Sequence, residues 1–116
     1  MPNHIKERIA SLLELIKGGL HQENLDKMVC ECDALAQDTS YVLAFFVLKQ
    51  VFAETSAALE GEAVALGRYL DLTSEIAASA STVLGKAMNN KRIEAADLGP
   101  IVGKHIRNLN IFRSDR

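Results

Sequence analysis

The sequence predicts an all-α fold: a four- to five-helix antiparallel bundle with an N-terminal helical hairpin, two long helices and a C-terminal helix. Three observations predict it. Apolar residues recur at intervals of three and four through most of the chain, the pattern of helices that bury one face. Aromatic residues make up 5% of the sequence, with no tryptophan and two prolines, whereas a β-sandwich needs aromatic strands and frequent turn residues. At 116 residues, 48% hydrophobic and 24% charged, the chain has the size and composition to close one core in a single domain over 1–116.

The first helix is expected over about 3–17, capped by Asn3. Ile5, Ile9, Leu12, Leu13 and Ile16 form its stripe. Gly18-Gly19 ends it, because glycine enters the left-handed region without a Cβ clash. The second helix is expected over 21–37, with Leu25, Met28, Val29, Cys32, Leu35 and Ala36 on its inner face. A link this short sets the two antiparallel.

The third helix, expected over 40–60, follows the polar break Asp38-Thr39-Ser40, whose Thr39 or Ser40 would cap it. Tyr41 to Leu48 is uninterrupted apolar sequence, and three of the four phenylalanines, Phe45, Phe46 and Phe52, lie in this helix. Its polar stripe is Lys49, Gln50, Glu54 and Glu60; extended backwards at 100° per residue, it runs through Val42 and Phe46. The first two turns are therefore apolar on every side, more than a bundle this small is expected to enclose. That makes Val42, Phe46, Ala53 and Ala57 the expected contact residues of a homodimer.

The fourth helix is expected over 62–89, after a break near Gly61. One continuous helix from 40 to 89 would be about 75 Å long at ~1.5 Å per residue, too long for a compact protomer. Leu66, Leu70, Ile76, Val83, Leu84 and Met88 are placed inward, while Ala77, Ala78, Ala80, Ser81, Gly85 and Ala87 would let a neighbour approach closely. A short element at 92–96 and an interruption at Leu98-Gly99-Pro100 are then expected. The last helix, 98–110, would be capped by Asp97, with Pro100 in its first turn and Val102, His105, Ile106 and Leu109 along its apolar edge.

Charge is divided along the chain. Residues 1–85 carry six Lys/Arg against twelve acids, net −6, and residues 86–116 carry seven against three, net +4. The basic C-terminal helix is thus a candidate contact for an anionic partner. Cys30 and Cys32, turned roughly 200° from each other on a helix, cannot bridge, and no second Cys/His pair completes a zinc site. Free thiols fit a reducing compartment, and the acidic residues Glu7 and Glu14 in the first amphipathic stretch do not fit a signal peptide. No membrane span is expected, since the longest apolar run is far below ~20 residues. The location expected is cytoplasmic.

Chemistry-bearing patterns are few. Glu-x-x-His pairs, HExxH, a glycine-rich phosphate loop and a nucleophile elbow are all absent from the sequence. No cofactor or metal is expected. Two alternatives to an interaction module arise at the C-terminus. Ala95 and Gly99 have the Ala-x-x-x-Gly spacing of a helix-turn-helix over 91–110, with Lys91, Arg92, Lys104, Arg107 and Asn108 as the nucleic-acid contacts. The string Lys104-His105-Ile106-Arg107-Asn108-Leu109 is similar to the phosphoacceptor helix of histidine kinases and phosphotransfer bundles, without their following proline or glycine pattern. That resemblance implies an exposed His105 taking a phosphoryl group. The spacing of the neighbouring apolar residues implies instead a structural His105 at the core's edge. The function expected is a non-catalytic helical interaction module that self-associates.

Overall fold

The structure, a computed structural model, describes residues 2–20, 22–60 and 66–114. Among them are five helices and no strand: α1 (Asn3–Lys17), α2 (Gln22–Asp38), α3 (Val42–Glu60), α4 (Leu66–Met88) and α5 (Ala95–Ser114). The fold is all-α, as the apolar periodicity predicts. The expected break at Gly61 lies outside the described residues.

Polar ties between helices give the topology. Arg8 meets Glu31 and Asp38, and Asn24 reaches the carbonyl of Leu15, so α1 and α2 are antiparallel. Lys49 pairs with Asp33 and the Ser56 hydroxyl reaches Asp26, so α2 and α3 are antiparallel too. Lys86 with Asp97 and Lys104 with Glu75 make α4 and α5 antiparallel. The Tyr41 hydroxyl donates to the Lys91 carbonyl, and His105 meets Glu54. The index offset is nearly the same in both, so α3 and α5 run side by side in the same direction.

The core draws on every helix. Ile5, Ile9, Leu12 and Ile16 of α1 pack with Leu25, Met28, Cys32 and Leu35 of α2, the two expected stripes less their edge residues Leu13, Val29 and Ala36, which are half-buried. Phe45, Leu48 and Phe52 of α3 and Ile76, Val83 and Leu84 of α4 complete it, with Leu98 and Ile101 of α5. Ala80 and Ala87 of α4 are buried as well, where their small side chains bring the backbone close to its neighbours.

The helix ends follow local chemistry, with departures from expectation. Asn3 is not the cap of α1; extended Pro2 precedes the helix, and its carbonyl accepts from Ile5 and Lys6. Thr39 Oγ1 accepts from Tyr41 N–H one residue ahead of α3, while its hydroxyl donates to Leu35 at the end of α2. Gly19 takes φ 90°, as expected of the link, and Asn24 Nδ2 donates to its carbonyl at 3.2 Å. Asn90 takes φ 55°, with its N–H on Ala87 and that of Lys91 on Lys86, a Schellman closure of α4.

The largest departure is at α5. No separate element forms at 92–96, and the helix begins at Ala95, not 98. Asp97 is the third helical residue: its carboxylate accepts the Glu94 N–H at 2.9 Å, the reverse arm of a capping box. The helix runs through Pro100. Proline crowds the Cβ of the residue before it, and here that residue is Gly99, which has none.

Candidate interaction surface

α3 is the helix on which the core is built, and it also carries three of the five exposed large hydrophobic side chains among the described residues. Phe45, Leu48 and Phe52 are fully buried, yet Val42 is 56% exposed, Leu43 67% and Phe46 50%. The reason is the placement of its neighbours. α2 holds one flank through Lys49–Asp33 at 2.7 Å and Ser56–Asp26 at 3.4 Å. α5 holds the opposite flank through Glu54–His105 at 3.4 Å. Between these flanks Val42, Phe46, Ala53 and Ala57 fall within an arc of about 60° at 100° per residue. Ala57 is exposed and Ala53 half-buried, so the four expected contact residues share one open face.

α5 widens that face. Asp97 and Lys104 point to α4 and His105 to α3, so helical geometry puts Val102 (38% exposed) and Ile106 (54%) on the side of α5 adjoining α3's open face. A groove of about 170 Å³ between the starts of the two helices, lined by Tyr41, Leu43, Ala44, Ile93 and Leu98, is continuous with it. Together Val42, Leu43, Phe46, Val102 and Ile106 expose on the order of 400 Å² of apolar surface, a size at which such patches are often functional. Leu43, Val102 and Ile106 were not expected here. Their signal was the uninterrupted run at 41–48 and a C-terminal apolar stripe with two possible phases; Val102 and Ile106 lie outside the buried one, which is Leu98, Ile101, His105 and Asn108.

By length and composition α3 also passes as a helix able to cross a membrane, with a mean hydropathy of 1.5. The expectation of no such helix rested on unbroken apolar runs. The phenylalanines and valines of α3 outweigh Lys49, Gln50 and Glu54 in its overall hydropathy.

The nucleic-acid alternative is corrected in its geometry. A helix-turn-helix needs two helices across 91–110, and α5 runs unbroken from Ala95 through the site of the expected turn. Its five proposed contacts do not converge: Lys91 and Arg92 are exposed ahead of the helix, Lys104 faces Glu75 at 3.8 Å, Arg107 faces solvent, and Asn108 is buried. The phosphoacceptor alternative requires an exposed imidazole. His105 is instead 5% exposed, wedged between α5 and α3, with Nε2 3.4 Å from Glu54 Oε1 and a buried Nδ1 that has no hydrogen-bond partner among the described residues.

The remaining concave places hold little convergent chemistry. A shallow groove of about 640 Å³ between α1 and α2 is lined by Glu14, Leu15, Asp26, Cys30 and Glu31, and one of about 340 Å³ lies where Ala77, Ala78 and Ser81 of α4 pass the end of α1. Among the described residues no group of three His, Cys, Asp or Glu side chains could hold a metal ion. Cys30 is exposed and Cys32 buried; burial, reinforced by the charge of Glu31, pushes the Cys32 thiol up to about 12. The Glu94 N–H and then the Lys86 ammonium hold the Asp97 carboxyl below the usual carboxylate range. The chain matches no protein-family model, no curated protein and no solved structure.

Proposed function

We propose that this protein is a non-catalytic helical interaction module that self-associates through the open face of α3, as a homodimer. The observation that carries the reading is the pair of half-exposed residues Val42 and Phe46 on a helix whose other phenylalanines are completely buried. An exposed phenylalanine beside an exposed valine and leucine costs solubility unless something covers it. The free thiols are in keeping with a reducing compartment such as the cytoplasm. Sedimentation or light scattering tests the reading: the wild type should run at twice the chain mass, and Phe46→Asp should run as a monomer with unchanged helix content. A wild type that stays monomeric at high concentration would end it.

A further inference from the structure

The open face of α3 has a size pattern that the proposal of self-association does not require. Its two bulky residues, Val42 and Phe46, lie toward the N-terminal end of the helix, and its two small ones, Ala53 and Ala57, lie toward the other end. Phe46 and Ala53 are centred on the point between Lys49 and Gln50, and so are Val42 and Ala57. A two-fold axis normal to α3 at that point would therefore lay Phe46 of one copy on Ala53 of the other, and Val42 on Ala57. Each bulky residue meets a small one twice over. This is the self-complementarity an isologous contact demands, since one surface must serve as both knob and hole.

We infer that the partner at this face is a second copy of the chain, with α3 packed antiparallel on its own symmetry mate in that register. The inference rests on the self-association reading and specifies its geometry. The polar rim agrees with it. Gln50, exposed beside the axis, falls on the same side in both copies, where the two amides can hydrogen-bond each other. Lys49, beside the axis on the other side, is already neutralised by Asp33 of its own chain at 2.7 Å, so the two-fold does not oppose free ammonium groups. Leu43, Val102 and Ile106 border the seam on its Gln50 side and extend the covered area. The protomer exposes 6314 Å² in all, and a standard interface takes about 800 Å² from each partner. The five exposed apolar residues supply on the order of half of that. Gln50, Ala53, Glu54 and Ala57 lie within the same footprint and supply more.

Charge complementation tests the register separately from the association. Phe46→Asp and Ala53→Lys, each alone, should weaken the dimer at least about thirtyfold, the effect of losing an interface hot spot. Mixed in equal amounts, the two variants should recover a species of twice the chain mass. The carboxylate introduced at 46 then meets the ammonium introduced at 53 of the other chain, while the second Phe46–Ala53 contact stays native. As an independent check, Gln50→Cys in a Cys30→Ser background should oxidise to a covalent dimer. A dimeric wild type whose variants fail to recombine, and whose position 50 does not cross-link, would overturn this register but leave self-association standing. A wild type monomeric at high concentration would overturn both. Uptake by phosphatidylcholine vesicles without any dimer in their absence would overturn both in favour of a lipid surface.

Discussion

Phe45 and Phe46 are neighbours of the same residue type with opposite environments, and truncating each to alanine separates core from interface. Phe45 is completely buried, so Phe45→Ala removes a ring from a packed site and leaves a cavity, a loss of about 3–5 kcal/mol. In a domain of this length that lowers the melting temperature by more than ~10 °C. Phe46 is 50% exposed, so its truncation in the protomer removes roughly 100 Å² of buried apolar surface with no cavity, about 2.5 kcal/mol at most. Urea denaturation in dilute solution, where the protomer dominates, should show this difference. At high concentration the order changes in kind. Association stabilises the wild type by about 2.7 kcal/mol at a hundred times the dissociation constant. Phe45→Ala should retain a stability that rises with concentration, and Phe46→Ala should lose that dependence. Equal costs for the two truncations in dilute solution would refute the assignment of inside and outside on α3. A wild-type midpoint that does not move with concentration would refute the interface.

Under native conditions a thiol reagent should titrate one cysteine per chain, Cys30, and in denaturant two; burial and a thiol pushed up to about 12 both withhold the reactive thiolate at Cys32. Two fast thiols in the native protein would contradict the packing of α2. The Asp97 carboxyl is held low in the folded state by the Glu94 N–H and by Lys86, so its contribution to stability is complete above an unfolded value of about 3.9 and is lost as pH falls through the folded value. The stability gap between wild type and Asp97→Asn should accordingly narrow as pH falls from 7 to about 3; a gap independent of pH would show that the carboxylate's charge does not hold the start of α5. Finally, His105→Leu removes a buried nitrogen without a partner among the described residues and leaves the half-exposed Glu54 to water, so urea midpoints should place the variant within ~1 kcal/mol of wild type or above it. A loss beyond ~2 kcal/mol would assign the imidazole a structural bond that the described contacts do not contain.

Local periodicity was sufficient for the helices and for their inner faces wherever one stripe of apolar residues meets one partner. The inner faces of α1 and α2 are of this kind, because a 3.6-residue repeat has one phase and Ile9, Leu12, Leu25 and Met28 satisfy it alone. The excess of apolar residues at 41–48 was equally legible, since it depends only on counting and on the length of the chain. The phase of the polar stripe also marked Val42 and Phe46, but that Leu43 would stay uncovered with them was a different matter. It depends on the angle between α2 and α5 across α3, set by pairs such as Asp33–Lys49 and Glu54–His105 that lie 16 and 51 residues apart in the chain. The exposure of Val102 and Ile106, and the burial of His105 and Asn108, came from the same source. The stripe of α5 contains enough apolar residues for two phases, and only contact with two neighbouring helices selects one. The start of α5 was decided nonlocally as well: Lys86 holds Asp97 from another helix, and the carboxylate so placed closes on Glu94 and begins the helix ahead of Gly99-Pro100. Sequence thus determined which segments wind and how much apolar surface they bring. The tertiary arrangement decided how that surface is divided between the core and the outside, because burial is a property of neighbours that the chain supplies from far away.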